Sequence, residues 1–287
     1  MNNIILSADS TCDLGEELKV KYDVQYYPYH IILDGKQYQD NVDITPDDLY
    51  QAYWSKKLLP KTSAINVSEY YEYFKQFTDQ GKGVIHFCLG SALSSAYQNC
   101  VLAASELHGV YVIDSCSLST GISLQVIDAA IMIQKGFEAY RIFEELKDAN
   151  KHYHASFILD KLEFLHAGGR CSTVAALGAN LLNLKPCIEV NNETGAMQVG
   201  KKYRGNLEKV LPHYVKDKLK QYPDIIKDHI FITHSGIDQS YIDLVHKTII
   251  DHMHFEHIYV TRASCTISCH CGPNTLGILF KTESISD

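Results

Sequence analysis

The run IILSA at residues 4–8 is almost entirely apolar, and the polar triplet DST follows it at residues 9–11. Two later runs have the same character, VIHFCL at residues 84–89 and VYVI at residues 110–113. Each is too uniformly apolar to have one face in water, so each predicts a strand that is buried on both sides. Helical patterns separate these runs. This order predicts a parallel sheet with right-handed crossovers, because a parallel return needs a connection of about that length.

The helices of the first half are predicted from apolar spacing and from end signals. One helix begins behind Ser68 as its N-cap and carries four aromatic residues at helical spacing: Tyr70, Tyr73, Phe74 and Phe77. Further helices are predicted from about residue 96 to 108, ending at Gly109, and at residues 122–135 and 138–149. Residues 24–45 alternate and then turn at Asp34-Gly35, which predicts a β-hairpin excursion from the main sheet.

The pattern restarts after a polar stretch at residues 150–152. Strands are predicted at residues 157–159, 186–190, 197–203, 229–234, 257–263 and 275–281, and helices at 172–183, 206–221 and 239–253. At 287 residues the chain is long enough for two domains. We therefore expect an α/β protein with an N-terminal parallel-sheet α/β domain at residues 1–152, including the β-hairpin excursion, and a C-terminal mixed α+β domain at residues 153–287.

Composition excludes several classes of function. With 26 basic and 34 acidic side chains the formal charge is −8, which argues against a nucleic-acid partner. The N-terminus lacks the basic flank and long apolar stretch of a signal peptide, and no run reaches the roughly 18 to 20 apolar residues of a membrane span. We expect a cytoplasmic protein without stable membrane insertion. Several of the nine cysteines lie in apolar runs, so we expect reduced thiols.

Hydroxyl-rich segments follow all three predicted strands, at residues 9–11, 90–95 (GSALSS) and 114–117 (DSCS). Ligands of an open parallel sheet bind beyond the carboxyl ends of its strands, where these segments would meet. Hydroxyl groups and free N–H groups at helix starts suit an anion. The same residues would also serve as helix caps and turns. An anion site and a set of caps are therefore both open interpretations.

Gly168-Gly169-Arg170 precedes the predicted helix at residues 172–183. The two glycines allow close backbone approach, and Arg170 could grip a carboxylate or a phosphate with two hydrogen bonds. The segment lacks the Gly-Lys-Ser/Thr ending of a P-loop and the spacing of a dinucleotide fingerprint. A tight turn with a structural arginine is the alternative.

The segments CTISCHC at residues 265–271 and HMHFEH at residues 252–257 suggest metal binding, but neither has the ligand spacing of a structural zinc site. We expect that no metal is required. His270 is instead a candidate hydrogen-bond donor or proton shuttle. A hydrolase built from Ser94, His270 and Asp9 is an alternative, although the Gly-x-Ser-x-Gly pattern is absent. A Cys/His nucleophile pair built on Cys12 or Cys116 is a further one.

Taken in order, these segments resemble the DegV family of bacterial fatty-acid-binding proteins. The resemblance runs nearly end to end and rests on Asp9-Ser10-Thr11-Cys12-Asp13-Leu14, Thr62-Ser63, Ser94 with Tyr97-Gln98, Asp114-Ser115, Gly168-Gly169-Arg170, Leu184-Lys185-Pro186, and His270-x-Gly272-Pro273 with Gly277. It implies two α/β domains with one long-chain acyl group between them. The best understood members are acyl-carrying subunits of fatty acid kinase. They present the carboxylate to a separate ATP-binding kinase subunit, which makes acyl phosphate.

The resemblance also implies roles for individual residues. Thr62 and Ser94 correspond to the carboxylate ligands, with Ser63 close by. His270 and Arg170 correspond to the catalytic end, where acyl phosphate forms, and Arg204 to the surface that docks the kinase. The fatty acid is then the ligand, without a further cofactor, and the protein is a non-catalytic subunit or serves in lipid transport. A Ser/His-dependent hydrolase and a binder of a small anionic metabolite are the alternatives.

The sequence departs from the family pattern at several positions beside the expected site. Ser95 and Ala96 replace a glycine and a threonine, Asn274 replaces a glycine, and Ala64-Ile65 replaces Gln-Pro. These changes bear on the geometry around the carboxylate more than on the fold.

Overall fold

The computed structural model describes residues 3–171, 173 and 184–283. Its strands form three sheets. They are β1 (Ile4–Asp9), β2 (Val24–Tyr27), β3 (His30–Leu33), β4 (Lys36–Gln39), β5 (Lys61–Ser63), β6 (Gly83–Cys88), β7 (Val110–Asp114), β8 (Tyr153–Ile158), β9 (Leu184–Val190), β10 (Met197–Arg204), β11 (Ile225–His234), β12 (His257–Arg262) and β13 (Leu276–Thr282).

The helices among the described residues are α1 (Glu16–Lys21), α2 (Pro46–Lys56), α3 (Val67–Thr78), α4 (Ala96–Ser105), α5 (Thr120–Gln134), α6 (Ala139–Leu146), α7 (Glu163–Gly168), α8 (Leu207–Gln221), α9 (Gln239–His252) and α10 (Cys265–Cys271). The helix predicted at residues 172–183 lies outside the described residues. Within the part of the chain that the structure describes, no helix combines the length and apolar character needed to cross a bilayer.

The first sheet has the order β2-β1-β6-β7, and all its neighbouring strands are parallel. This confirms the parallel sheet predicted from the three apolar runs. The predicted hairpin exists as β3 and β4 around Asp34-Gly35, and β5 pairs with β3 to complete a small antiparallel sheet. The predicted start of the hairpin excursion at residue 24 is wrong. Residues 24–27 follow α1, which supplies the crossover that lets β2 pair in parallel with β1.

The predicted N-cap of α3 is also wrong. Asn66, not Ser68, caps this helix. Its side chain accepts a hydrogen bond from the Glu69 N–H at 3.0 Å, and the Glu69 carboxylate accepts one from the Asn66 N–H at 2.9 Å. This reciprocal pair satisfies two N–H groups that the helix cannot satisfy itself, so the helix begins two residues earlier than a cap at Ser68 would give.

The second sheet has the order β10-β9-β8-β13-β11-β12. Only β11 and β12 are parallel; the remaining pairs are antiparallel, which agrees with a mixed α+β second half. Helices α8 and α9 cover one face over an apolar core of their own. The larger core is continuous across both halves and includes Leu6, Phe87, Phe157 and Leu279. The domain boundary at residue 152 therefore stays a prediction.

Helix α10 belongs to the second half, but a buried carboxylate of the first half holds its N-terminus. Asp40 accepts hydrogen bonds from the N–H groups of Cys265 at 2.7 Å and Thr266 at 3.2 Å, and from the Ser10 hydroxyl at 2.8 Å. The first N–H groups of a helix have no partner within the helix and carry partial positive charge. Asp40 thus fixes where α10 begins.

Asp13 is a second buried acidic residue of the first half that accepts a hydrogen bond at the start of α10. It accepts from the Ser264 N–H at 2.9 Å and from the Ser119 hydroxyl at 2.5 Å. Burial raises the pKa of Asp13 to about 8, against the opposing effect of these two donors. Burial thus favours the uncharged form of this carboxyl group, and the two donors favour the carboxylate.

We expect Asp40→Ala to lower the free energy of unfolding by at least about 3 kcal/mol, because it leaves buried donors without an acceptor. Urea denaturation followed by circular dichroism measures the loss. Asp40→Asn, which keeps an acceptor, should lose less. Asp47→Ala is the matched control. It removes an exposed ion pair with Arg262 and should cost less than about 1 kcal/mol. Equal losses in Asp40→Ala and Asp47→Ala would contradict this role of Asp40.

Candidate functional site

A cavity of about 380 Å³ lies between the two halves of the chain. Five of the six residues predicted for the site line it: Thr62, Ser63, Ser94, Arg170 and His270. The apolar part of its wall includes Leu89, Leu93, Leu118, Leu165, Met197 and Ile267. The sixth predicted residue, Arg204, is exposed at the end of β10 and is not among the lining residues.

Each half of the chain contributes elements to this cavity. Thr62 and Ser63 are on β5, and Ser94 follows β6 just before α4, at the carboxyl end of the parallel sheet. Arg170 follows α7, and His270 lies near the end of α10. The structure thus brings together residues up to 208 positions apart in the sequence.

The hydroxyl group of Ser94 can act only as a donor toward the cavity. Its oxygen accepts hydrogen bonds from the Tyr29 hydroxyl at 3.1 Å and from the Ala96 N–H at 3.2 Å. A serine oxygen has two lone pairs, and these two donors occupy both. The remaining hydrogen of Ser94 can only be donated, to an acceptor in the cavity that Ser94 lines.

The second hydroxyl group of the site belongs to Thr62, whose oxygen lies 2.9 Å from Nε2 of His270. Burial, and next the charge of Arg170, lower the pKa of His270 to about 4, so the ring is neutral at pH 7. Nδ1 of His270 is buried and has no partner among the described residues. An unpaired N–H there would cost more than an unpaired lone pair. We therefore assign the proton to Nε2, which donates to Thr62 and leaves the Thr62 hydrogen for another acceptor.

Arg170 provides the positive charge of the site. Its Nη1 donates to the carbonyl of Gly168 at 2.6 Å, and its Nε lies 3.4 Å from the carbonyl of Leu93. These carbonyl groups position the guanidinium without neutralising it. Among the described residues no carboxylate forms an ion pair with Arg170. Its remaining N–H donors are available for an anion.

Gly168 is needed because His270 approaches its backbone closely. A Cβ atom at residue 168 would lie 2.2 Å from Nδ1 of His270. Gly169 has a separate reason to be glycine, since it ends α7 in the left-handed region at φ 67°. The sequence predicted close backbone approach at these glycines, and the structure identifies an imidazole ring as the approaching group.

The three residues of the alternative hydrolase do not hydrogen-bond to one another in the structure. Asp9 accepts from Tyr70 at 2.6 Å, from Nε2 of His86 at 3.1 Å and from the Leu89 N–H at 2.9 Å. His270 is bonded to Thr62, and Ser94 to Tyr29 and Ala96. Asp9 instead fixes the strand end at Leu89, which lines the cavity.

The thiol groups of the alternative Cys/His pair are poorly suited to nucleophilic attack. Burial raises the pKa of Cys12 to about 12 and that of Cys116 to about 11. Because the thiolate is the reactive form, both side chains are nearly unreactive at neutral pH.

Among the described residues, neither cluster that suggested metal binding brings three possible ligand atoms together. Residues 265–271 form helix α10. The structure brings together a different group, His86, Cys88 and Cys100, whose ligand atoms lie within 4.8 Å of one another. Both ring nitrogens of His86 already make hydrogen bonds, Nδ1 with Ser7 at 2.8 Å and Nε2 with Asp9. This makes His86 a poor ligand. That no metal is required stays a prediction.

Tyr29 is a site residue that the sequence did not indicate. It lies between β2 and β3, in a stretch interpreted only as part of the hairpin. Its ring is 2% exposed, and its hydroxyl group determines how Ser94 donates. No local pattern in the sequence signals that contact, because the two residues are 65 positions apart.

Comparison with known proteins gives a consistent result. The family model for the DegV family of uncharacterised proteins matches residues 3–283. A DegV domain-containing protein of Clostridium perfringens is 27% identical over 288 residues and covers 99% of this chain and 100% of that protein. The structure of a fatty-acid-binding DegV family protein from Thermus thermophilus matches with a TM-score of 0.87 at 25% identity, over 98% of this chain and 99% of that one. A stearic-acid-binding protein from Eubacterium ventriosum matches with a TM-score of 0.81 at 25% identity, over 98% of each chain.

We expect Gly168→Ala to destabilise the protein by about 1 to 3 kcal/mol, because the added methyl group overlaps the His270 ring. Helix propensity alone would make Gly168→Ala stabilising, since alanine has a higher helix propensity than glycine. Urea unfolding measures the change. The double variant Gly168→Ala with His270→Ala removes the overlap, so the alanine at residue 168 should cost nothing in that background. The same loss in both backgrounds would show that the ring is not the cause.

Proposed function

The chain belongs to the DegV family, and on that premise we propose that it binds one long-chain fatty acid in the cavity between its halves. The observation that carries this proposal is the pair of hydroxyl groups on Thr62 and Ser94. The lone pairs of Ser94 are occupied, Thr62 accepts from His270, and both residues line one cavity with Arg170. A carboxylate accepts hydrogen bonds and donates none, so it matches two hydroxyl donors beside a guanidinium.

The apolar wall of the cavity suits the acyl chain. A smaller apolar cavity of about 30 Å³ shares Leu118, Ile267 and Cys271 with the main one, so apolar space continues inward from the polar end. Burying about 15 methylene groups at about 0.8 kcal/mol each gives a gross gain of about 12 kcal/mol. Ordering and association costs reduce that figure, but the remainder supports tight retention.

The polar end of the cavity compensates the charge of a carboxylate that leaves water. Such a group must be hydrogen-bonded or paired with a positive charge. Thr62 and Ser94 supply the hydrogen bonds, and Arg170 supplies the charge. A bound carboxylate would also raise the pKa of His270 from its low value near 4. Binding would then be accompanied by partial proton uptake at mildly acidic pH.

The second part of the proposal is that the bound carboxylate is presented to a separate ATP-dependent kinase subunit. This part rests on the resemblance to acyl-carrying subunits of fatty acid kinase. A carboxylate oxygen attacks the γ-phosphorus of ATP, the bond to the β-phosphate oxygen breaks, and acyl phosphate and ADP form. Arg170 and His270 line the same cavity as Thr62 and Ser94, which supports a role for them in stabilising the negative charge that develops in this step. Arg204 is exposed and free to contact a partner. Lipid transport without phosphorylation is the alternative.

We expect Ser94→Ala to weaken fatty-acid binding about ten- to a hundred-fold, since a hydrogen bond to a charged group contributes about 1.5 to 3 kcal/mol. Native mass spectrometry of the purified protein should first show a co-purifying fatty acid. Displacement of a fluorescent fatty-acid analogue then measures affinity. Ser105→Ala, on the exposed side of α4, should bind as the unchanged chain does. Unaltered affinity in Ser94→Ala, or a small phosphorylated metabolite in place of the fatty acid, would refute the assignment.

We expect acyl phosphate to form when the loaded protein is mixed with ATP, Mg²⁺ and the organism's candidate kinase subunit. Trapping with hydroxylamine as the hydroxamate detects the product. Arg170→Ala and His270→Ala should slow its formation. Arg204→Ala should weaken docking, so that a higher kinase concentration is needed for the same rate, while fatty-acid affinity stays unchanged. Undiminished rates in the first two variants would remove those residues from the step. No product with any such partner would leave lipid transport as the function.

A further inference from the structure

A second cavity, of about 440 Å³, lies in the second half of the chain. It is lined by the end of α8, by strands of the second sheet and by the turn that joins β9 to β10. It shares no lining residue with the cavity between the halves, so the proposed fatty-acid site makes no use of it. We call it the Lys218 cavity, and its wall includes Lys218, Glu189, Gln221, His154, Tyr222 and Phe280.

An ion pair forms part of the wall of the Lys218 cavity. The Lys218 ammonium group donates to the Glu189 carboxylate at 2.5 Å and to the side-chain oxygen of Gln221 at 3.0 Å. The Lys218 side chain is 6% exposed, and that of Glu189 is 28% exposed. Lysine is almost never buried so deeply without a partner of opposite charge. The cavity wall thus contains two opposite charges in contact, with a net charge of zero.

Both partners of this ion pair keep hydrogen-bonding capacity. An ammonium group has three N–H donors, and Lys218 uses two of them. Glu189 accepts only at Oε1 within the described part of the chain, which leaves Oε2 available. Gln221 uses one of its two side-chain N–H groups, on the Tyr222 hydroxyl at 3.3 Å. Because all three side chains line the cavity, it offers two N–H donors and a carboxylate oxygen to a ligand.

The Glu189 carboxylate packs against the backbone of β10 at Gly200. A Cβ atom at residue 200 would lie 2.6 Å from Cδ of Glu189 and 2.9 Å from its Oε2. Any other residue at this position would push the carboxylate aside, so glycine provides the space that it occupies. The carboxylate thus has a defined position, in contact with Lys218 and in the wall of the cavity.

An aromatic cluster of His154, Tyr222 and Phe280 forms another part of the wall. The centre of the His154 ring lies 4.2 Å from that of Tyr222 and 5.6 Å from that of Phe280. Burial lowers the pKa of His154 to about 4, so the ring is neutral at pH 7. Its Nδ1 accepts from the Asn192 side chain at 3.2 Å, and its Nε2 donates to Thr282 at 3.1 Å. The cluster therefore places an uncharged, mainly apolar surface beside the ion pair.

We propose that the Lys218 cavity binds a free α-amino acid with an apolar or aromatic side chain. The α-carboxylate would accept hydrogen bonds from Lys218 and Gln221, and the α-ammonium group would donate to Oε2 of Glu189. The side chain of the ligand would pack against Tyr222. An α-amino acid carries its two charges on groups attached to one carbon atom, and the charges of the ion pair are in direct contact. Each charge of the ligand can therefore meet the opposite charge of the protein.

The charges of the cavity wall favour a zwitterion over an ion of one sign. A ligand with only a carboxylate would gain the bond to Lys218 but would lie beside the Glu189 carboxylate. A ligand with only an ammonium group would lie beside Lys218 in the same way. Repulsion between like charges is strong where water is partly excluded. A neutral sugar avoids that repulsion, but it brings no charge to either partner and forms weaker hydrogen bonds than a zwitterion does.

Calorimetric titration of the unchanged chain with three related probes tests this site. The probes are L-phenylalanine, N-acetyl-L-phenylalanine, which lacks the ammonium group, and L-phenylalaninamide, which lacks the carboxylate. We expect L-phenylalanine to bind at least about tenfold more tightly than either derivative, because each derivative loses a bond between charged groups. L-Leucine, L-methionine and D-glucose are titrated in parallel. Equal affinity for the three phenylalanine probes, binding of glucose alone, or a Kd above about 10 mM for all three free amino acids would overturn the proposal.

Two variants assign the binding to the Lys218 cavity. Glu189→Gln keeps an oxygen that can accept from Lys218 but removes the negative charge. It should weaken L-phenylalanine binding about tenfold or more and abolish the preference over N-acetyl-L-phenylalanine. Gln221→Ala changes an exposed side chain at the end of α8, so it should leave the fold intact. It should weaken the two probes that carry a carboxylate and leave the affinity for L-phenylalaninamide unchanged.

The matched control is Glu208→Gln, which removes the same charge from an exposed residue in the first turn of α8, outside the cavity. It should bind all probes as the unchanged chain does, and circular dichroism establishes that each variant is folded. A folded Glu189→Gln variant that keeps the preference for the free amino acid, or equal losses in Glu189→Gln and Glu208→Gln, would show that this cavity is not the site.

Discussion

The contact on which the site depends is the one between Asp40 and the first N–H groups of helix α10. The helix begins against the first half of the chain and carries His270 near its end. Holding the start of the helix therefore also holds the imidazole ring of His270 in position. Asp13 accepts a further hydrogen bond at the same end, from the Ser264 N–H. A buried carboxylate is costly without partners and stabilising with them. The two halves therefore have one favourable relative position, in which both sets of groups are satisfied.

The position of α10 determines the hydrogen bond between His270 and Thr62. With α10 in place, His270 reaches Thr62, and Gly168 leaves room for the ring. The Tyr29 hydroxyl and the Ala96 N–H donate to the oxygen of Ser94 and occupy its lone pairs. Neither donor belongs to α10. The protein thus presents hydroxyl hydrogens rather than lone pairs. An alcohol could accept these bonds too, but only an anion would also gain from the charge of Arg170. On the proposed function, Tyr29, the Ala96 N–H and His270 set the direction in which Ser94 and Thr62 donate, and Arg170 adds the charge that would favour a carboxylate over an alcohol.

The sequence predicted three of the four parallel strands, because their runs are almost entirely apolar, and at least part of each strand of the second sheet. It missed β2, which pairs in parallel with β1. It singled out Ser94 in a hydroxyl-rich segment and His270 as a possible donor, whereas Thr62 came only from the resemblance, and so did the role of carboxylate ligand. Two kinds of feature escaped it. The cap of α3 at Asn66 depends on a local hydrogen-bond exchange that apolar spacing does not register. The contact of Tyr29 with Ser94 joins distant segments, and only the folded chain brings them together.

The departures from the family pattern are tolerable for a reason visible in the structure. Residue 96 contributes its backbone N–H to Ser94, so alanine serves there as well as a hydroxyl residue would. Asn274 adopts the left-handed conformation that glycine favours, at φ 62°, and its side chain donates to Asp160 at 3.0 Å, away from the carboxylate-binding groups. Ser95 lines the cavity and adds a hydroxyl group. Ala96 lacks the hydroxyl group of threonine, but the donors on Thr62, Ser94 and Arg170 are present. Variation at these positions changes the surroundings of the cavity, and the hydroxyl and guanidinium groups proposed to bind the ligand come from other residues.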